Sequence, residues 1–285
     1  MPYFKHGNVQ IYYEDVGKGE PIIANHGLSE DGTYWSETGV TARLAERYRV
    51  ISMDMRGHGR TIVEGEPHGF DADTMADDFD ALADFLAIDR FHILTHATGG
   101  MVGVRYAMTR SERLISLMLT DTGSATKPEM PDQREPTDKQ RAVWEKWMVT
   151  ASVEEKLRVI KAIPGPFLFK MAEHPNNKGM WKIFEGFLRR QNPQDIVTFM
   201  FNFYTDPDPR VEGLRQIKCP TLVLLGEFDI VFIKPSEIMA NEIPDVKHVI
   251  IDGIGHMTAI ENPERTIEEL LDFLSTVKQI RKANR

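Results

Sequence analysis

Asp229, in "LLGEFDIV", and His256, in "DGIGHM", are a carboxylate and an imidazole that each follow an apolar run where it ends in turn residues. An imidazole so placed can take up and return a proton near neutral pH, and a carboxylate beside it fixes which ring nitrogen is free to act. Such a pair needs a reacting partner. A third stretch is built like one: in "LTHATGG", residues 94–100, the strand-like "FHILTH" turns through "ATGG" into the helix-like "MVGVRYAMTR". A strand-turn-helix of this kind lifts one side chain above the carboxyl edge of a sheet, and small flanking residues let strand and helix approach closely. The lifted position is Ala97, and alanine has no atom that attacks a carbonyl. Against a Gly-x-Ser-x-Gly turn the pattern departs twice, with Thr95 at the first glycine and Ala97 at the serine, followed by Thr98, Gly99 and Gly100.

The elements that would position these groups alternate along the chain. "VQIYYEDVG" shows strand periodicity, and "EPIIANHG", "YRVISMDM", "RFHILTHA", "RLISLMLTDTG", "CPTLVLLGEFD" and "VKHVIIDGIGH" are short apolar runs that end in turns. Between two of them, Met75, Phe79, Leu82, Phe85 and Leu86 follow helical spacing behind a capping Asp73, and a helix around "PERTIEELLDFLSTVKQI" closes the chain. Continuously apolar strands joined through helices predict an α/β fold, a mostly parallel sheet with helices on both faces. Residues 125–215 break the rhythm: they begin with the polar "KPEMPDQREPTDK", end with "YTDPDPRVEG", and are helical and rich in aromatic residues and methionine between these hinges. They are read as an inserted helical cap or lid over a core formed by 1–124 and 216–285. The cap aromatics Trp144, Trp147, Phe167, Trp181, Phe184, Phe187, Phe199 and Phe203 are candidates for cap core or pocket wall, with Trp144, Trp181 and Phe187 taken as substrate-binding.

Composition narrows the function. The formal net charge is −9 and the longest basic cluster is the terminal "KQIRKANR", which argues against nucleic acid as a partner and for a solvated helix end. One cysteine, Cys219, excludes an internal disulfide framework or a Cys-rich zinc site and fits a reducing compartment; it precedes a core strand and reads as a small buried residue. No run is apolar and long enough to span a bilayer, and "MPYFKHGNVQ" lacks the apolar core of a secretion signal, so a cytoplasmic protein is expected, with no membrane partner. His26, His58 and His96 lie in turn motifs without metal-ligand spacing and are read as structural. No phosphate-cradling loop is present, and neither metal nor cofactor is expected.

The motifs "NHG", "DMRGHGRT", "THATGG", "PTLVLLGEFD" and "GIGHM", in this order, resemble the α/β-hydrolase superfamily over nearly the whole chain. "GGMVGVRYA" followed by "LISLMLTDTGSA" looks like its carboxy-ester and enol-lactone hydrolase branch. The resemblance implies a triad in the order nucleophile position 97, acid Asp229, base His256, with Asp121 as the reserve acid. It also implies an oxyanion hole from the backbone N–H groups of Leu28, in "NHGLSEDG", and Thr98. Thr98 stands where epoxide hydrolases and haloalkane dehalogenases carry tryptophan, and the HG loop lacks their following x-Pro, so serine rather than aspartate is read as the residue Ala97 replaces. The expected activity is hydrolysis of a small hydrophobic carboxylic ester or lactone, this chain being an inactivated Ser-to-Ala variant. Two alternatives stand beside it: a natural non-catalytic ligand-binding relative, and a lyase that uses the His256–Asp229 pair as its base.

Overall fold

A computed structural model describes residues 2–65, 68–130 and 137–283. Among the described residues, nine strands form one sheet: β1 (Tyr3–His6), β2 (Val9–Gly17), β3 (Glu20–Asn25), β4 (Tyr48–Met53), β5 (Ile62–Val63), β6 (Phe91–His96), β7 (Leu114–Thr120), β8 (Thr221–Gly226) and β9 (Val246–Ile251). They are ordered β1-β2-β4-β3-β6-β7-β8-β9, with β5 paired to β2. From β4 to β9 the neighbours run parallel, whereas β2 is antiparallel to β1, β4 and β5. The longer helices are α1 (Ala72–Phe85), α2 (Ala97–Arg110), α3 (Asp138–Thr150), α4 (Val153–Ala162), α5 (Gly165–Glu173), α6 (Asn177–Arg190), α7 (Pro193–Phe203), α8 (Ile233–Glu242) and α9 (Pro263–Ala283).

The doubly covered sheet follows from its strands. Successive side chains point to opposite faces, so a strand apolar at every position needs a core on each side. Ile23, Ile51, Ile93, Leu117 and Val223 enter one core with Phe79 of α1, Val102 of α2 and Met239 of α8. Their neighbours Ile22, Val50, Leu94, Met118 and Leu222 enter the other, with Leu44, Leu270 and Phe273. The α/β class read from the sequence is therefore the fold observed. Helices α3 to α7 all fall between β7 and β8, within the segment expected to be helical.

Local departures have simple causes. The side chain that caps α1 is Asp71, whose carboxylate accepts from the Thr74 backbone N–H at 2.8 Å, and Asp73 sits within the first turn instead. Met75, Phe79 and Leu82 are buried as expected, but Phe85 is 57% exposed. It lies on the flank of the α1 apolar stripe and stacks on Phe4 at 5.8 Å, shielding the edge strand β1. Part of the first expected hinge, residues 131–136, lies outside the described residues. The second is tied down: Asp206 takes hydrogen bonds from Arg105 and Arg210, each at 2.7 Å, and its N–H donates to the Thr126 hydroxyl at 3.2 Å.

Close approach of α2 to the strands depends on glycine. A Cβ at Gly99 would lie 2.5 Å from the His26 carbonyl oxygen, which accepts the Gly99 N–H at 2.9 Å. We expect Gly99→Ala to destabilise the protein by about 1–3 kcal/mol or more, because a backbone atom must move to admit the methyl. Gly179, exposed in α6 with nothing within 4 Å of a Cβ, provides the contrast. Gly179→Ala should stabilise by roughly 0.5–1 kcal/mol through helix propensity. Denaturant titration of both variants checks the pair, and equal effects would contradict the packing account.

Candidate active site

In an open parallel sheet the carboxyl ends of the strands diverge where the connections change direction, and the crevice left there is the natural ligand site. Here that point lies between β3 and β6: β3 leads to β4 on one side, while β6, β7, β8 and β9 progress to the other. The loop after β3 carries His26 to Gly32, and the turn after β6 carries Ala97.

Ala97 has φ +45°, in the left-handed region that costs an ordinary residue energy and persists only where surroundings enforce it. Several contacts do so. Its carbonyl accepts from the Thr122 hydroxyl at 2.6 Å, and Gly100 lies so close to Thr122 that a Cβ would meet that side chain at 2.5 Å. The loop after β3 approaches equally closely: a Cβ at Gly27 would lie 3.2 Å from the Ala97 methyl. Thr95 at the expected first glycine is accommodated beside Gly103 of α2, where a Cβ would meet the Thr95 methyl at 3.2 Å.

His256 and Asp229 meet. The His256 Nδ1 lies 2.9 Å from Asp229 Oδ2, with both side chains buried, which leaves Nε2 as the nitrogen available to a reactant. Glu261 holds the histidine loop by accepting the Gly255 N–H at 2.8 Å and the Met257 N–H at 3.1 Å. The reserve acid, Asp121, follows β7 with φ +51° and lies close by, but its Oδ2 takes the Thr258 hydroxyl at 2.6 Å. Burial raises its carboxyl above the usual range, against the pull of His96. Donor atoms of Asp121, Asp229 and His256 fall within 4.8 Å of one another. The hydrogen bonds these three make, His256 Nδ1 with Asp229 and the Thr258 hydroxyl to Asp121, fit a proton-handling cluster rather than a vacant ligand set.

His96, read from the sequence as a structural turn residue, joins both loops. It is fully buried, stacked on Tyr34 with centroids 4.4 Å apart, and placed 3.4 Å from Glu30 and 3.3 Å from Asp121. Glu30 in turn accepts the Gly27 N–H at 2.6 Å. Burial opposes charge on the His96 ring, but Glu30 and Asp121 outweigh it and lift its pKa to about 10. His26 and His58 behave as expected of structural residues: His26 bonds the Gly27 carbonyl through Nδ1 and accepts the Met55 N–H at 2.9 Å, and burial drives His58 down to about 3. Burial raises the Cys219 thiol to about 12, unsuited to nucleophilic work.

The aromatic rings on His256 are one of the cap candidates, Phe167, and one residue outside that set, Phe232. Phe167 and Phe232 pack on the His256 ring at 4.7 and 5.4 Å. Phe187 is buried 6.2 Å from Tyr34, whereas Trp181 packs against Phe184 and lines a surface hollow with Lys161 and Lys182. Trp144 meets Phe201, itself exposed, on the outer side of α3 and α7. Leu28 is partly buried against the core and Thr98 is buried at the start of α2, its hydroxyl 2.6 Å from that of Tyr204. Glu30, Phe232, Tyr204 and Glu261 were not anticipated: Tyr204 and Phe232 meet partners remote in sequence, Thr98 and His256, while Glu30 and Glu261 accept backbone N–H groups three to six residues away that no motif marks.

Residues 20–263 match the family model described as alpha/beta hydrolase fold. The chain belongs to that family. Among similar proteins, a non-heme chloroperoxidase of Kitasatospora aureofaciens is 28% identical over 94% of this chain and 96% of its own. A thermophilic esterase from Thermogutta terrifontis superposes with TM-score 0.77 at 25% identity, covering 94% of both chains. The enol-lactonase from Burkholderia xenovorans shares the fold, with TM-score 0.77 at 21% identity over 96% of this chain and all of its own. Among the described residues, no helix is long and apolar enough to cross a membrane.

The His96 arrangement has a signed consequence. Its pKa rises from 6.5 to about 10 on folding, so the stabilisation is complete below the unfolded value and is lost as pH climbs towards the folded one. The unfolding free energy should therefore fall between about pH 7 and 9, and His96→Gln should flatten that slope while lowering stability at neutral pH. Chemical denaturation across this range tests it, and an unchanged slope in the variant would assign the effect elsewhere.

Proposed function

We propose that the cleft is that of a hydrolase for a small hydrophobic carboxylic ester or lactone, worked by a serine, His256 and Asp229, with this chain inactive because Ala97 occupies the serine's place. The observation that carries the reading is the buried His256–Asp229 pair, 2.9 Å apart, beside a turn that keeps alanine at φ +45°. Such a backbone is costly, and its purpose in this geometry is to raise one side chain towards a base. Likeness to the esterase and enol-lactonase supports the substrate class. Residues 125–215 act as the cap, and the aromatic contacts of Phe167 and Phe232 on His256 favour an apolar acyl or lactone group. The single buried Cys219 fits a cytoplasmic setting.

In the serine-bearing form the Oγ attacks the carbonyl carbon as His256 Nε2 takes its proton, and the backbone N–H groups of Leu28 and Thr98 receive the charge on the former carbonyl oxygen. His256 returns the proton to the leaving alcohol, then removes one from water, which cleaves the acyl-enzyme. Asp229 holds the ring in the tautomer both steps require. A second reading, base catalysis by the same pair on an acidic C–H or O–H of the substrate, draws on the fact that this pair is fully assembled without a nucleophile.

The two readings part in one experiment. Loss of the attacking group costs on the order of 10⁶ in kcat, roughly 8 kcal/mol of transition-state stabilisation. Ala97→Ser should raise hydrolysis of bulky apolar esters or lactones by several orders of magnitude, while calorimetric affinity for the same compound changes by less than about tenfold. Equal turnover by both forms, abolished by His256→Ala, would replace the nucleophilic mechanism with the base-catalysed one. In the Ala97→Ser background, Asp229→Asn should cut kcat by about 10⁴, as loss of the tautomer-setting acid does in serine proteases. Asp121→Asn should cost far less, and the reverse ranking would move the acid to the end of β7.

A further inference from the structure

The end of α7 reaches the elbow helix at two points. Thr98 and Arg105 lie seven residues apart on α2, a spacing that puts them on one helical face. Thr98 meets the Tyr204 hydroxyl at 2.6 Å, and Arg105, buried, meets Asp206 at 2.7 Å. Residues 204–206 are further fixed by Lys127, whose N–H donates to the Asp206 carbonyl at 2.8 Å, and by Thr126. Edge-on contacts with Phe203 at 5.1 Å and Phe199 at 6.5 Å restrict the Tyr204 ring. A phenol is thus held, by the cap segment, against the residue whose backbone N–H the oxyanion hole uses.

The hydroxyl pair has protons to spare. Two hydroxyls joined by one hydrogen bond use one proton between them; when Thr98 donates to Tyr204, the phenolic proton is left for another acceptor. Burial has already raised the phenol above its ordinary pKa, which keeps that proton in place. The first turn of α2 also presents the positive end of the helix dipole here, so negative charge is favoured at this spot over any other on the face.

Building on the hydrolase reading, we propose that Tyr204 is a catalytic residue: a third donor, supplied by the cap and oriented by the Thr98 hydroxyl, to the oxygen that becomes negative in the transition state. Substrate oxygen then receives two backbone N–H groups from the core and one O–H from the cap. The hole is completed by the segment that follows α7, so activity depends on cap placement as well as on the triad.

The test has two arms. In the first, the chain as it stands is titrated with an anionic alkylphosphonate monoester, a tetrahedral mimic of the charged oxygen, and with the matching neutral ester. Tyr204→Phe should weaken the phosphonate by about tenfold or more and the ester by less than about threefold, since hydrogen bonds to charge are the stronger kind. Thr98→Val should weaken the phosphonate in the same direction, and Thr98→Ser should restore it. In the second, Tyr204→Phe in the Ala97→Ser background should lower kcat by about 10²-fold with little change in KM, the signature of a lost oxyanion donor. Phosphonate affinity unchanged by Tyr204→Phe, or no phosphonate binding to the unsubstituted chain, overturns the proposal. Absence of hydrolysis in Ala97→Ser refutes the hydrolase reading alone, because the phosphonate arm reports on Tyr204 without turnover.

Discussion

The left-handed backbone at Ala97 is the constraint on which the rest of the cleft depends. Strand β6 must become helix α2 within one residue, and the resulting approach of helix to neighbouring loops leaves no room for side chains at Gly99, Gly100 and Gly27. A residue forced to positive φ stores energy that its surroundings must offset. Here the Thr122 hydroxyl on the Ala97 carbonyl and the Gly99 N–H on the His26 carbonyl supply that constraint from β7 and β3, the strands on either side of β6. The turn is stiff for the same reason that it is strained, and a stiff turn holds whatever side chain it carries in one place.

Charge buried beneath the turn links the remaining pieces. A chain of contacts runs from Gly27 through Glu30, His96 and Asp121 to Thr258, joining the loop after β3 to the loop that carries His256. Buried ionic groups are expensive unless each is matched, and an unmatched member left behind by substitution costs several kcal/mol. Matching here ties the loop after β3 and the loop that carries His256 to one another rather than to solvent. Residues at the end of α6 join in: Arg190 donates to the buried Asp31 at 2.6 Å, and Gln191 bridges the Glu30 carbonyl and the Gly59 N–H at 2.8 and 2.9 Å. The loop bearing Leu28 is thus held by the His96 network and by the end of α6.

The sequence discloses those parts of this site that local physics writes into contiguous residues. Apolar runs of strand length, turn residues after them and helical spacing in α1 were enough for the sheet and its covered faces, while the pairing of His256 with Asp229 came from the motif order of the resembled superfamily. The capping residue was misplaced by two positions because Asp71 and Asp73 are equally good acceptors, and backbone geometry alone selects between them. Glu30 and Tyr204 escaped for a different reason. Each acts through a partner tens of residues away, and an acidic residue in a loop or a tyrosine after a helix carries no periodicity of its own. Among the cap aromatics, spacing reveals which side of a helix is apolar but not what faces it, so Trp181 and Phe167 could not be told apart.

Alanine at the display position is compatible with everything else because none of the forces that build the cleft pass through an atom beyond its methyl group. The strain resides in the backbone of residue 97, the close packing in glycines 27, 99 and 100, and the electrostatics in Glu30, His96 and Asp121. A hydroxyl on the Ala97 methyl would contribute to the reaction and little to the fold. Folding and binding therefore place no demand on the identity of a small side chain here, whereas nucleophilic chemistry demands a single type. A turn this costly, bearing a side chain this inert, separates the architecture of the cleft from the side-chain atom that nucleophilic chemistry would require.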